Sequence, residues 1–287
     1  MLKIMKNTVL FTLLLIFSTN VFGQRFLAET RETFDHFGRH ITKVVIPSTT
    51  LPDMSLRDAV EKGWKISPYE FCTMEEYEEI KMDNNYFFLM RVDGKYRREM
   101  EPGLEYITLI RGGAEIRSGM YSSHDIITLP LQPINDWSGT YLNLLPAYIE
   151  IFQNHIYRVQ KDITLAFKGD VIYSDRVGES VGKMLMFSLD VLGFDTDDEE
   201  MELLFRGHIN MVSSEDIEEA IVNNRADCVV PVTIAPDTPG NSSYSYKILI
   251  DTGSHELLFY RRHRITNRLP SGFTREDMKR IAVPYQF

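Results

Sequence analysis

The sequence predicts an α/β (or α+β) protein made of two related modules in tandem, each a small mixed sheet covered by helices. Three observations lead there. Strand-like apolar runs alternate with segments of helical period along the chain. Shifting the chain by 140 lays residues 73–113 over 213–253 without a gap, with nine identities in 41 positions. The 287 residues are also enough for two cores of ordinary domain size.

In chain order, a strand over 42–46 opens the first copy and a helix over 55–64 follows. Tyr69 to Cys72 is strand-like. Thr73 with Glu76 has the spacing of an N-cap and an acidic N3 residue, so a short helix starts there, with Met74, Tyr77 and Ile80 on one face. After Asn84-Asn85 comes the unbroken apolar run 86–92, as expected for a strand covered on both faces. A polar Gly/Pro connection leads to a partner strand over 106–110 and then to Gly113. A further strand leads to His124-x-Ile126, then Leu129-Pro130 and a helix over 147–159. The second copy repeats the order. Its elements are a strand at Val171 to Tyr173, a helix over 179–192, a capped helix from Ser213 with Asp216, strands over 228–234 and 244–250, His263-x-Ile265, Leu269-Pro270 and a helix over 274–281. The module boundary is expected near 161, giving modules 24–161 and 162–287.

Composition sets the class. At 44% hydrophobic and 25% charged, the chain is globular rather than disordered, fibrous or multi-spanning. Residues 1–23 read as a secretory signal. Lys3 and Lys6 precede an apolar stretch from Val9 to Phe17, and Val21-Phe22-Gly23 gives a cleavage context before Gln24. Without that segment the chain holds 29 basic and 41 acidic residues. Such an acidic balance excludes nucleic acid as the expected partner, because phosphate recognition needs clustered Lys and Arg. No later stretch is long and apolar enough to anchor the mature chain, so a periplasmic or secreted protein is expected. Export permits a bridge between Cys72 and Cys228, but each lies in an apolar run, which favours two separate core thiols.

The second half also resembles a known family. Residues 170–195 (DVIYSDRVGESVGKMLMFSLDVLGFD) are followed by Arg225-Ala226-Asp227-Cys228-Val229-Val230-Pro231-Val232 and by Leu249-Ile250-Asp251-Thr252-Gly253-x-x-Glu256-Leu257. Over roughly 163–266 this is similar to the envelope α/β domain of curli-assembly (CsgG-type) lipoproteins and TolB amino-terminal-like domains. Those have a strand ending in an Ala-Asp-hydrophobic run and a hairpin with an Asp-x-x-Gly-Glu-like turn. The resemblance implies an accessory, non-enzymatic envelope module. Two departures stand out: the chain has no lipid-anchoring Cys, and its turn reads Gly253-Ser254-His255-Glu256.

Several motifs carry candidate chemistry. Gly178-Glu179-Ser180-Val181-Gly182 matches the nucleophile elbow of serine hydrolases, with His208, His255 and His263 downstream. Four residues separate Tyr173 from Gly178, however, where the elbow needs a turn directly off the strand, and the glycines equally suit a helix start. Asp195, Asp197, Asp198, Glu199, Glu200 and Glu202 begin like a calcium loop but have Glu200 at position six and Arg206 at position twelve, so a solvated turn or helix start is expected. His36 and His40 are four apart without the glutamate of a zinc helix. No metal or cofactor is implied. Arg261, Arg262, Arg264 and Arg268 form the one basic cluster, with Arg262 and Arg264 on one strand face and Arg261 and His263 on the other. They suit either a charge-protected edge strand or a contact for an acidic partner.

These readings converge on an exported binding or assembly component that contacts an envelope protein or acidic partner through Arg261, Arg262 and Arg264. A serine hydrolase using Ser180, or a purely structural envelope protein, are the alternatives.

Overall fold

Local chemistry starts three helices at the residues that cap them. In this computed structural model, which describes residues 27–286 apart from 95–100, 115, 117–124, 135, 169–171 and 241, Thr73, Ser213 and Thr274 each close a reciprocal capping box. The N3 partners are Glu76, Asp216 and Asp277, and each such cap contributes about 1 kcal/mol. The leader, His124 and Val171 lie outside the described residues.

After a helix α1 (27–35), the chain forms β1 (Ile41–Val45), α2 (Leu51–Gly63), β2 (Tyr69–Cys72), α3 (Met74–Ile80), β3 (Tyr86–Gly94), β4 (Leu104–Arg111), β5 (Asp125–Pro133) and α4 (Leu145–Lys161). It then forms β6 (Met184–Phe187), α5 (Asp198–Leu204), β7 (Ile209–Met211), α6 (Ser214–Val222), β8 (Cys228–Ile234), β9 (Tyr244–Asp251), β10 (Leu257–Arg264) and α7 (Arg275–Ala282). The protein is therefore mixed α/β, with two five-stranded mixed sheets.

The first sheet runs β2-β1-β3-β4-β5 and the second β7-β6-β8-β9-β10. In each, the first three strands are parallel and the last two add antiparallel. The strands expected to be covered on both faces are: Phe87, Phe88, Leu89, Val229 and Val230 are fully buried. Trp64 is also core, and both cysteines are free and buried.

Three expectations need correction. The helix expected over 179–192 is absent. A 3-10 turn (Val177–Ser180) leads to Gly182 at φ +107°, then to β6 and a second 3-10 turn, Leu189–Val191. The dense apolar run Met184 to Phe187 suits a strand between two neighbours as well as a helix, and pairing with β7 and β8 decides it. The helix that follows the opening strand is instead α5, started by Asp197, whose side chain accepts from Glu200 N–H. Second, Ile172 and Tyr173 lie in a 3-10 turn rather than a strand. Third, the two His-x-Ile segments are not equivalent. Ile126 stands at the start of β5, whereas His263 stands near the end of β10. Leu129-Pro130 accordingly lies inside β5, an edge strand where a missing N–H is tolerated, while Leu269-Pro270 lies in the loop after β10.

The largest apolar cluster takes side chains from both halves, including Leu89, Ile107, Leu131, Tyr148 and Phe152 from the first and Val230, Val232, Ile248 and Tyr260 from the second. Smaller clusters lie under α3 and between the second sheet and α5 and α7. Tyr106 and Tyr246, matched by the 140-residue offset, meet across the halves with hydroxyls 3.2 Å apart and rings edge-on at 6.0 Å.

Candidate functional site

A cleft of about 240 Å³ opens where the two halves meet. One wall is the α2 stripe Ser55, Asp58 and Lys62, and another is the turn Leu142-Asn143-Leu144 that leads into α4. The second half contributes the end of α6, with Ile221 and Asn224, and the turn after β9, with Thr252 and His255. That turn is the Asp251-to-Glu256 segment singled out in the sequence.

Backbone geometry marks this corner. Of the three described non-glycine residues with positive φ, two are Asn224 (+49°) and His255 (+51°), and they bond to each other, His255 Nε2 to Asn224 Oδ1 at 2.8 Å. Asn tolerates the left-handed region better than most residues, and His is also enriched there. Strain of this kind costs on the order of 1 kcal/mol per residue and persists only where surrounding contacts enforce it. Here they do. Thr252 N–H donates to the Cys228 carbonyl, Asp251 Oδ1 accepts from Gly253 and Ser254 N–H, and a Cβ on Gly253 would come within 2.6 Å of Ala226 Cα. Burial pulls the His255 imidazole below its ordinary value. With Nε2–H given to Asn224, its Nδ1 is left as an acceptor and the Asn224 amide nitrogen as a donor.

Beside the cleft, an ion network joins the halves. Arg158 of α4 reaches Glu256 at 2.9 Å and Glu179 at 3.3 Å, and Arg176 reaches the same two carboxylates at 3.0 and 2.6 Å. Arg176 also donates to the Leu257 carbonyl at 2.7 Å. Burial pushes the Glu256 carboxyl up, against Arg176, which holds its charge.

Of the sequence-derived site residues, His255 alone lines this cleft. Ser180 is buried in the 3-10 turn and its hydroxyl donates to the Val177 carbonyl at 2.9 Å. The histidines named with it are engaged elsewhere. His255 bonds Asn224, His263 bonds Lys247 and the Pro270 carbonyl, and the His208 ring packs against Tyr285. The arginines alternate along edge strand β10 and split between its faces. Arg261 donates to Asp277 at 3.0 Å, on the α7 side. Arg262 lies over Tyr244 at 5.4 Å and donates to the Tyr246 hydroxyl at 3.4 Å, on the side facing the first half. Arg264, exposed, borders a shallow depression with Pro239, Gly240 and Pro270. Glu200 of the acidic run pairs with Arg275 at 2.6 Å. His40 Nδ1 meets the Asn85 carbonyl at 3.0 Å, and among the described residues no group of three His, Cys, Asp or Glu is placed to hold a metal.

Sequence reasoning missed the ionisable groups at the centre of each half. Lys247 is 2% exposed and bonds Asp277 at 2.7 Å and His263 Nδ1 at 2.9 Å. Burial pulls the Lys247 ammonium down against the attraction of Asp277. Burial alone would raise the Asp277 carboxyl, but hydrogen bonds from Lys247 and Thr274 hold it below the usual carboxylate range. In the first half, Arg91 links Asp53 at 2.7 Å and Glu105 at 2.6 Å. No spacing in the sequence pairs these residues.

Comparison with family models, curated proteins and solved structures finds no match to this chain. No described helix is long and apolar enough to cross a membrane.

Proposed function

We propose that this is an exported binding component in which two copies of one α/β unit clasp a ligand at the cleft between them. The observation that carries the reading is the Asn224–His255 pair, two left-handed residues bonded to each other at the mouth of that cleft. Strained backbone clusters at ligand clamps and active sites, and ligand sites are concavities with a few placed polar groups. The resemblance of residues 163–266 to accessory envelope domains supports the same reading. The common strand order of the two sheets, with the same strand directions, supports descent of the halves from a single duplicated unit. Two of the arginines of β10 then serve the fold. Arg261 stabilises the α7 cap through Asp277, and Arg262 covers the tyrosines at the junction.

The test is a thermal-shift screen of sugars, peptides and small acids against wild type and His255→Ala. Ligands are expected to raise the wild-type midpoint and to lose at least half of that shift in the variant. A set of ligands indifferent to His255, or fluorophosphonate labelling abolished by Ser180→Ala, would overturn the proposal. Export is tested separately, by expressing the full chain in a bacterium with an envelope and sequencing the mature amino terminus. Gln24 is the expected first residue.

A further inference from the structure

The cleft has a continuation that the pocket alone does not include. Trp137 is 84% exposed, on a loop held by Asp136, whose carboxylate accepts from Ser138 N–H and Oγ at 3.0 Å. Gly139, two residues on, adopts φ +77° and sits against Leu51 at the start of α2, 3.7 Å from its Cδ2 when a Cβ is built. Leu51, Ser55, Asp58 and Lys62 are spaced four, three and four residues apart and share one stripe of α2. At 1.5 Å per residue, the Trp137 loop meets that stripe roughly 6 Å from Ser55, the first cleft residue of the helix. The loop that carries Trp137 thus borders the stripe that runs into the cleft, and stripe and cleft together form the groove.

The chemistry of the groove narrows its occupant. Asp58 and Lys62, on successive turns, cancel in charge, so neither an anion nor a cation is selected. The other polar side chains of the lining are neutral: the hydroxyls of Ser55 and Thr252, and the planar groups of Asn143, Asn224 and His255, the last two presenting a donor and an acceptor side by side. Walls of Ala59, Pro146 and Ile221 supply apolar surface between them. Apart from Ile250 of β9, the walls are helices and turns. β9 is an interior strand of its sheet, so no free strand edge lines the groove to take an extended peptide backbone. A ligand with hydroxyl pairs on its edges, apolar faces and no net charge matches this lining, and an exposed indole is a flat platform for such a face.

We infer that the groove binds a neutral oligosaccharide, one ring in the cleft against Asn224 and His255 and a neighbouring ring stacked on Trp137. The inference rests on the binding reading above and narrows it to a ligand class. The full-length mature protein is titrated with cellotetraose, maltotetraose and chitotetraose while Trp emission is followed. Trp64 is 5% exposed, so a change on binding reports Trp137. At least one tetrasaccharide is expected to shift the emission saturably. Trp137→Ala, followed by calorimetry, is expected to weaken binding about tenfold, and Asn224→Ala and His255→Ala about fivefold or more. Leu203→Ala, at a site 80% exposed on α5, is expected to leave affinity unchanged. Trp137 is exposed, so its variant tests binding without threatening the fold; for Asn224, whose left-handed backbone favours Asn, the thermal midpoint of the variant is read alongside its affinity. If capped neutral peptides perturb the Asn224 and His255 amide resonances and no tetrasaccharide does, the ligand class is overturned while the binding reading stands. If neither perturbs them, both fall.

Discussion

Acidification should loosen this protein in part through one buried imidazole. His155 of α4 is 4% exposed, its Nδ1 2.7 Å from the Tyr173 hydroxyl, and its ring also bonds the backbone of Ile126 at the start of β5. It therefore ties α4 both to the first sheet and to the segment leading into the second half. Burial pulls its pKa down from 6.5 to about 4, because a charged ring there would lose water and gain no carboxylate. The sign follows directly. Between those two values the unfolded chain takes up a proton that the fold refuses. The contribution is thus fully present above 6.5, declines as pH falls towards 4, and changes no further below that. The gap corresponds to about 3 kcal/mol at roughly 1.4 kcal/mol per pH unit, a large share of the stability of a typical domain. Urea unfolding at about pH 7.5 and about pH 4.5 checks it in wild type and His155→Gln. The variant is expected to start lower by about 1–3 kcal/mol, because a buried hydrogen bond is disturbed, but to lose about 2.5 kcal/mol less on acidification, since a pH of about 4.5 stops short of the folded pKa. Carboxylates with raised values, such as Glu105 and Glu256, are common to both proteins and cancel in the comparison. Equal losses in the two proteins would refute the assignment.

Other outcomes follow from the same geometry. Lys247→Met leaves Asp277 buried with only Arg261 and Thr274, and is expected to cost about 3 kcal/mol in urea unfolding; Lys247→Met with Asp277→Leu should recover part of that loss. Tyr106→Phe and Tyr246→Phe, combined in a double-mutant cycle, should show a coupling of about 1 kcal/mol, whereas strict additivity would mean the hydroxyls do not interact. Gly112→Ala would set a Cβ 2.1 Å from the Asp83 carbonyl oxygen, so a loss of about 1–3 kcal/mol or more is expected, read as a lowered thermal midpoint.

Much of the architecture was legible because its signals are local. Thr73 with Glu76 and Ser213 with Asp216 announce helix starts by hydrogen bonds made within four residues. The runs at 86–92 and 228–234 announce covered strands by composition alone. The segment 179–192 misled for the complementary reason: Met184 to Phe187 satisfies either period, and only β7 and β8 on its two sides make it a strand. The candidate site was less legible still. Asn224 and His255 are 31 residues apart, and nothing in their types foretells that two left-handed turns bring them within 2.8 Å.

The chain by itself determined the α/β class, the order of most elements and the residues that begin α3, α6 and α7, since each depends on near neighbours in sequence. The tertiary structure alone decided that the halves share one apolar core, that Lys247 and Asp277 are enclosed together, and that Arg261 and Arg262 of β10 meet partners on α7 and β9. Those outcomes depend on which apolar faces meet. A hydrophobic face specifies that it must be covered but not what covers it, so the cleft comes into view only when the two halves are packed.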